Sequence, residues 1–146
     1  MDEITQGYDT PDVIKALQNR FPANKVHVYP DASGNSRKSV NASETDLSLL
    51  RTAGFTVHVN GTNPSVKDRV NSVNAMLLNA EGERRYRINA DRCPVYAESL
   101  EQQIWSPNGE PDKTAGFDHA NDGGGYFIVK RFPIIKPTGK VTQLRM

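Results

Sequence analysis

Apolar positions along this chain recur at helical spacing in four stretches, and three short runs between them are apolar or alternate with polar residues. Val13, Ile14, Leu17 and Phe21 form one helical face behind Asp9-Thr10-Pro11-Asp12. There Thr10 can cap, Pro11 suits the first helical position, and Asp12 favours the positive end of the helix dipole. A helix over about 43–52 carries Leu47, Leu49 and Leu50, with Ser43 as its cap and Asp46 three residues on. Val66, Val70, Val73, Met76 and Leu77 predict a helix over about 65–79. Pro94 to Trp105 reads as helical, anchored by Tyr96, Leu100, Ile104 and Trp105, and a last helix runs from about Phe117 to Val129. Strands are expected over 25–29, 55–59 and 85–89, the last an alternating, exposed one. The order helix, strand, helix, strand, helix, strand, helix, helix makes the fold class α/β with crossover connections.

In such sheets ligands bind beyond the carboxyl ends of the strands. Asp31 stands there, just after the first strand. A carboxylate in that place can hold a hard divalent cation, and the same residue equally suits a Pro-Asp-x-x-Gly turn. The second candidate is Asp118-His119-Ala120-Asn121-Asp122-Gly123-Gly124-Gly125-Tyr126. In a helix His119, Asp122 and Tyr126 share one side. A capping Asp118 and a surface His119 would also account for the pattern. Three consecutive glycines cost a helix about 1 kcal/mol each relative to Ala, so the run implies close approach of another group or a break. It lacks the G-x-G-x-x-G spacing of a dinucleotide site.

Composition narrows the classes. The chain has 146 residues, which favours one domain, and its net charge of +1 advertises no global nucleic-acid field. DNA contacts would have to come from local clusters: Arg37 and Lys38 after the Asp31 loop, Lys67 and Arg69 near the start of the third helix, and Lys113 before the Asp118 segment. Each also reads as ordinary solvated surface. The run Arg84-Arg85-Tyr86-Arg87 suits a strand facing nucleic acid or a charged edge strand. The single cysteine, Cys93, excludes an intrachain disulfide and a multi-cysteine zinc site. No stretch reaches the roughly 20 apolar residues of a membrane span.

Tyr29-Pro30-Asp31-Ala32-Ser33-Gly34 and the Asp118–Tyr126 segment together resemble the nuclease domain of the large terminase subunit of short-tailed, headful-packaging bacteriophages. Tyr8-Asp9-Thr10-Pro11-Asp12 and Asn63-Pro64-Ser65-Val66-Lys67-Asp68-Arg69 extend the likeness in the same order. The resemblance implies a ribonuclease-H-like mixed sheet flanked by helices, spanning 1–135, with residues 136–146 as a flexible tail. It implies endonucleolytic cleavage of concatemeric double-stranded DNA by a two-metal mechanism using Mg²⁺ or Mn²⁺. Asp31 and Asp122 would be metal ligands and catalytic, His119 a nearby catalytic group, and Asp118 a supporting metal-binding acid. The implied partners are double-stranded DNA, the terminase small subunit and the portal, in the cytoplasm of a bacterial host. Two departures stand beside this. The family's first acidic strand and its ATPase P-loop are not found, so the resemblance implies an N-terminally shortened domain, weakly active alone and able to self-associate through an exposed sheet edge. The glycine run replaces better helix formers. A non-catalytic DNA-packaging or interaction module with the same fold is the alternative.

Overall fold

The computed structural model describes residues 3–5, 7, 9–35 and 45–134. Its elements are α1 (Thr10–Arg20), β1 (His27–Val28), a 3-10 turn (Ala32–Asn35), α2 (Asp46–Thr52), β2 (Thr56–Val57), α3 (Val66–Leu77), α4 (Pro94–Gln102) and α5 (Asp118–Arg131). β1 and β2 pair in parallel, His27 opposite Thr56 and Val28 opposite Val57. The ladder extends one residue at each end, with Thr56 N–H donating to Val26 O at 2.9 Å and His58 N–H to Val28 O at 2.8 Å. The crossover between them passes through α2, as a parallel pair requires.

Two apolar clusters hold the elements. Leu47 and Leu50 of α2 and Phe55 form the first, with Ile14, Leu17, Val28 and Val57 packed against it. Val73 and Met76 of α3 and Ile128 of α5 form the second, with Tyr86 and Leu100 alongside. The first therefore joins α1 and α2 to the strands, and the second joins the three C-terminal helices.

Several expectations need correction. The sheet among the described residues is two-stranded and parallel, not mixed. The segment 85–89 is not a strand. Arg85 and Tyr86 both donate their N–H groups to Met76 O, at 3.0 and 2.8 Å, and so serve a carbonyl that the end of α3 leaves free. Its alternation arises because Tyr86 turns inward to the second cluster, not because a neighbouring strand pairs with it. Asp9, not Thr10, caps α1, accepting from Asp12 N–H at 2.9 Å. The Thr10 hydroxyl instead donates to Asp46, tying α1 to α2. Thr45 caps α2 in a reciprocal box with Ser48, and Ser43 lies outside the described residues. Ile104 and Trp105 are exposed, not anchors, because α4 stops at Gln102.

The sequence reading starts α4 at Pro94, as the structure does, but gives no hint of its cap. Cys93 provides no side-chain cap, and Glu3, about ninety residues away, supplies one. Its two carboxylate oxygens accept from Val95 N–H at 3.0 Å and Tyr96 N–H at 3.1 Å. An acid at the positive end of a helix is favourable on both hydrogen-bond and dipole grounds. Glu3→Ala is expected to lower stability by about 1 kcal/mol, read as a lower urea midpoint at unchanged slope; an unchanged midpoint would mean the contact carries no weight.

α5 runs without a break through Gly123, Gly124 and Gly125. Two of these glycines are explained by their neighbours. A Cβ on Gly124 would collide with the Tyr96 hydroxyl and ring, and one on Gly125 would lie 2.6 Å from Arg69 Cγ. The helix gives up propensity so that α3 and α4 can approach its backbone. Gly124→Ala would gain about 1 kcal/mol in propensity and lose more to overpacking, usually about 1–3 kcal/mol, because the tyrosine ring is buried. The expected result is a lower melting temperature, whereas Gly123→Ala, with open space beside it, should raise it.

Candidate active site

The site lies where the two halves of the core meet. Asp31 follows β1 by three residues and is held from three sides. Its Oδ1 accepts from Ser33 N–H at 2.6 Å and from the Asn63 amide at 2.7 Å, and its Oδ2 accepts from the Tyr126 hydroxyl at 3.1 Å. Asn63 is itself oriented, its carbonyl oxygen accepting from Ala32 N–H at 2.8 Å. Partial burial pushes the Asp31 carboxyl up, but the donors from Asn63, Ser33 and Tyr126 outweigh it and bring its pKa from 3.8 down to about 2. The group is an anion throughout the physiological range.

Tyr126 remains the donor in that pair. Partial burial raises its pKa against the pull of Arg69, and Asp31 adds to the rise. One helical turn earlier on α5 stands Asp122, whose Oδ1 receives the Arg69 guanidinium at 2.5 Å. That guanidinium also lies over the Tyr126 ring, 4.8 Å from its centre. Asp31, Tyr126, Arg69 and Asp122 thus form one connected chain, assembled from the end of β1, α3 and α5.

The other expected site residues fall as follows. Asp118 is the first residue of α5 and 5% exposed, with its Oδ1 buried and unpartnered. His119 is exposed on the same turn. Lys67 and Lys113 are exposed, available to a polyanion. Arg69 is not a phosphate contact in this arrangement: it is 5% exposed, and its charge is spent on Asp122. Arg37 and Lys38 lie outside the described residues. The residue that sequence reasoning missed is Asn63. The signal available was its place beside the Pro64-Ser65 start of α3, which fixes it next to the Asp31 loop.

Residues 5–131 match the sequence model of the terminase RNase H-like domain. The chain belongs to that family. No curated protein and no solved structure matches it. This terminase domain is therefore of nuclease type, from a family that works on DNA and generally uses divalent metals. Among the described residues no helix is long and apolar enough to cross a membrane.

Whether the terminase domain's residues suit such a metal can be judged from the donors. Asp31 is a fixed, ionised, partly exposed carboxylate whose Oδ2 accepts from the Tyr126 hydroxyl, so it suits one hydrated Mg²⁺ or Mn²⁺, which keeps most of its waters and takes one or two carboxylates plus substrate phosphate. A cation shared with Asp122 is a poorer fit while Arg69 neutralises that residue. Among the described residues no three His, Cys, Asp or Glu side chains are grouped to hold a metal.

Proposed function

We propose that this domain is the endonuclease of a DNA-packaging terminase and cleaves double-stranded, concatemeric DNA with the help of a divalent cation anchored at Asp31. The observation that carries the reading is the Asp31 carboxylate, held ionised by three donors at the carboxyl end of a parallel strand, in a chain of this family. When bound, Mg²⁺ or Mn²⁺ would supply Lewis-acid activation of water and charge neutralisation at phosphate.

The protein's own part is positioning. Asn63 and Ser33 fix the Asp31 oxygens, and Tyr126 keeps Asp31 in register with α5. Asp122 becomes a second ligand if Arg69 lets go of it, with Asp118 supporting, and His119 stands in solvent where it could relay a proton. The two-metal form of the reaction belongs to this proposal through Asp31 and Asp122 together. Lys67, Lys113, Arg37 and Lys38 would neutralise phosphates along the approach. The terminase small subunit and the portal are the partners proposed with it, in a bacterial host cytoplasm.

The Arg69–Asp122 ion pair favours a second reading, a packaging or interaction module that keeps the fold without the chemistry. Supercoiled plasmid separates the two. Incubation with the purified chain and Mn²⁺ should give nicked and linear product, slowly, and EDTA should suppress it. Retarded migration of the DNA with no product at any Mn²⁺ or Mg²⁺ concentration would favour the second reading.

A further inference from the structure

A cavity of about 140 Å³ opens between α3, α4 and the start of α5, and Asp31 is not part of its wall. It is about the size that admits a single six-membered ring. Its charged lining is Asp118, Asp122 and Arg69. Arg69 is spent on Asp122, so one negative charge, that of Asp118, is uncompensated. Asp118 is 5% exposed and its Oδ1 is buried without a partner, as is the Oδ1 of Asn121 one turn along, whose amide nitrogen is committed to Ser99 O at 2.8 Å. Two acceptor oxygens therefore face a shortage of donors. The positive end of α5 eases the charge on Asp118 but makes no hydrogen bond to it. A carboxylate with one oxygen buried away from any donor is costly, and a ligand bearing donors and a positive charge would remove that cost.

The rest of the wall says which cation. Val70, Leu100 and Pro111 are apolar, and the ring of Trp105 forms one side while remaining 58% exposed. A hydrated divalent ion would waste such a wall. A planar guanidinium uses it: its fork matches a carboxylate, its face stacks on an aromatic ring, and its methylene stem lies along apolar surface. We propose that this cavity is a docking pocket for one arginine side chain of a partner protein, with Asp118 as its counter-ion and Trp105 as its stacking surface. The proposal does not depend on a cation at Asp31, but it claims Asp118 for the arginine in place of the supporting metal role given to that residue above, and the two uses exclude one another.

Trp105 is the chain's only tryptophan, so its fluorescence reports occupancy directly. Titration with Nα-acetyl-arginine amide should give a saturable change. Nα-acetyl-citrulline amide, nearly the same shape without the charge, should bind at least tenfold more weakly, and Nα-acetyl-lysine amide should fall between. Asp118→Asn should cost the arginine probe at least tenfold, with folding verified by circular dichroism. If that variant does not fold, Asn74→Lys decides the matter: Asn74 is exposed on the rim, and a lysine there should fill the pocket from within and block the probe. Equal binding of the citrulline probe, undiminished binding to Asp118→Asn or Asn74→Lys, or a response to Mn²⁺ or deoxyguanosine but not to the arginine probe would each overturn the assignment. So would the absence of any saturable response.

Discussion

Asp31→Asn should abolish metal-dependent plasmid cleavage, lowering the rate by more than about a hundredfold, since even the outer partners of a metal ligand are commonly worth about 10–100-fold. The amide keeps the size of the carboxylate and can still accept from Tyr126 or Asn63, so the loss should reflect chemistry more than collapse. Acid unfolding provides an independent check. The folded pKa of Asp31 is about 2, below its ordinary 3.8. The group therefore contributes stability that is fully present above about pH 4 and is lost as the pH falls toward 2. Asp31→Asn should flatten the stability curve across that window and leave the neutral side unchanged in shape. Cleavage that survives the substitution would remove Asp31 from the reaction.

Arg69→Ala is expected to be the most destabilising change at the site. The guanidinium is buried, pairs with Asp122, and covers the Tyr126 ring, while its stem fills the space left by Gly125. Breaking one partner of a fully buried ion pair costs about 3–5 kcal/mol. The Asp122 side chain is 29% exposed, so water can repay part of its lost partner, and a loss of about 2–4 kcal/mol is the corresponding expectation. Arg69→Met with Asp122→Leu should recover part of it, because two apolar side chains leave no charge stranded. Urea unfolding of the three proteins measures the difference. The single variant should also bind Mn²⁺ more tightly, since its competitor for Asp122 is gone; weaker binding would mean Arg69 supports the cation rather than displacing it.

Much of this architecture could be read from the chain, and the failures are specific. α1 and α3 have apolar periodicity with clear starts, α5 passes from a polar start to an apolar end, and the expected bounds of α3 and α5 agree with the structure to within a few residues. Tyr86 and Ile88 alternate as a strand would, but alternation reports only which side chains turn inward. Whether a neighbour pairs with the backbone is a tertiary fact, and here Met76 O takes those N–H groups. Ile104 and Trp105 continued the apolar pattern of α4 past its end for the same reason. At the site, Asp31 stood out as an acid just past a strand and Asp122 as one within the polar start of the last helix. Asn63 did not, because a neutral amide ahead of a helix is ordinary until the loop it grips is known. Arg69 looked like surface because charge usually is, and only the opposing glycine, fifty-six residues later, marks the slot it occupies. The cap from Glu3 has no local signature at all.

The paired glycines of α5 also limit how this domain can move. Tyr96 and Arg69 sit in its backbone like keys in a slotted shaft, from two different helices and at successive positions. Neither rotation of α5 about its axis nor a slide by one residue is possible without driving a side chain into backbone. Any rearrangement that carries Asp122 toward Asp31 must then transport α3, α4 and α5 as a single rigid unit, with the play taken up in the segments that link them to the strands.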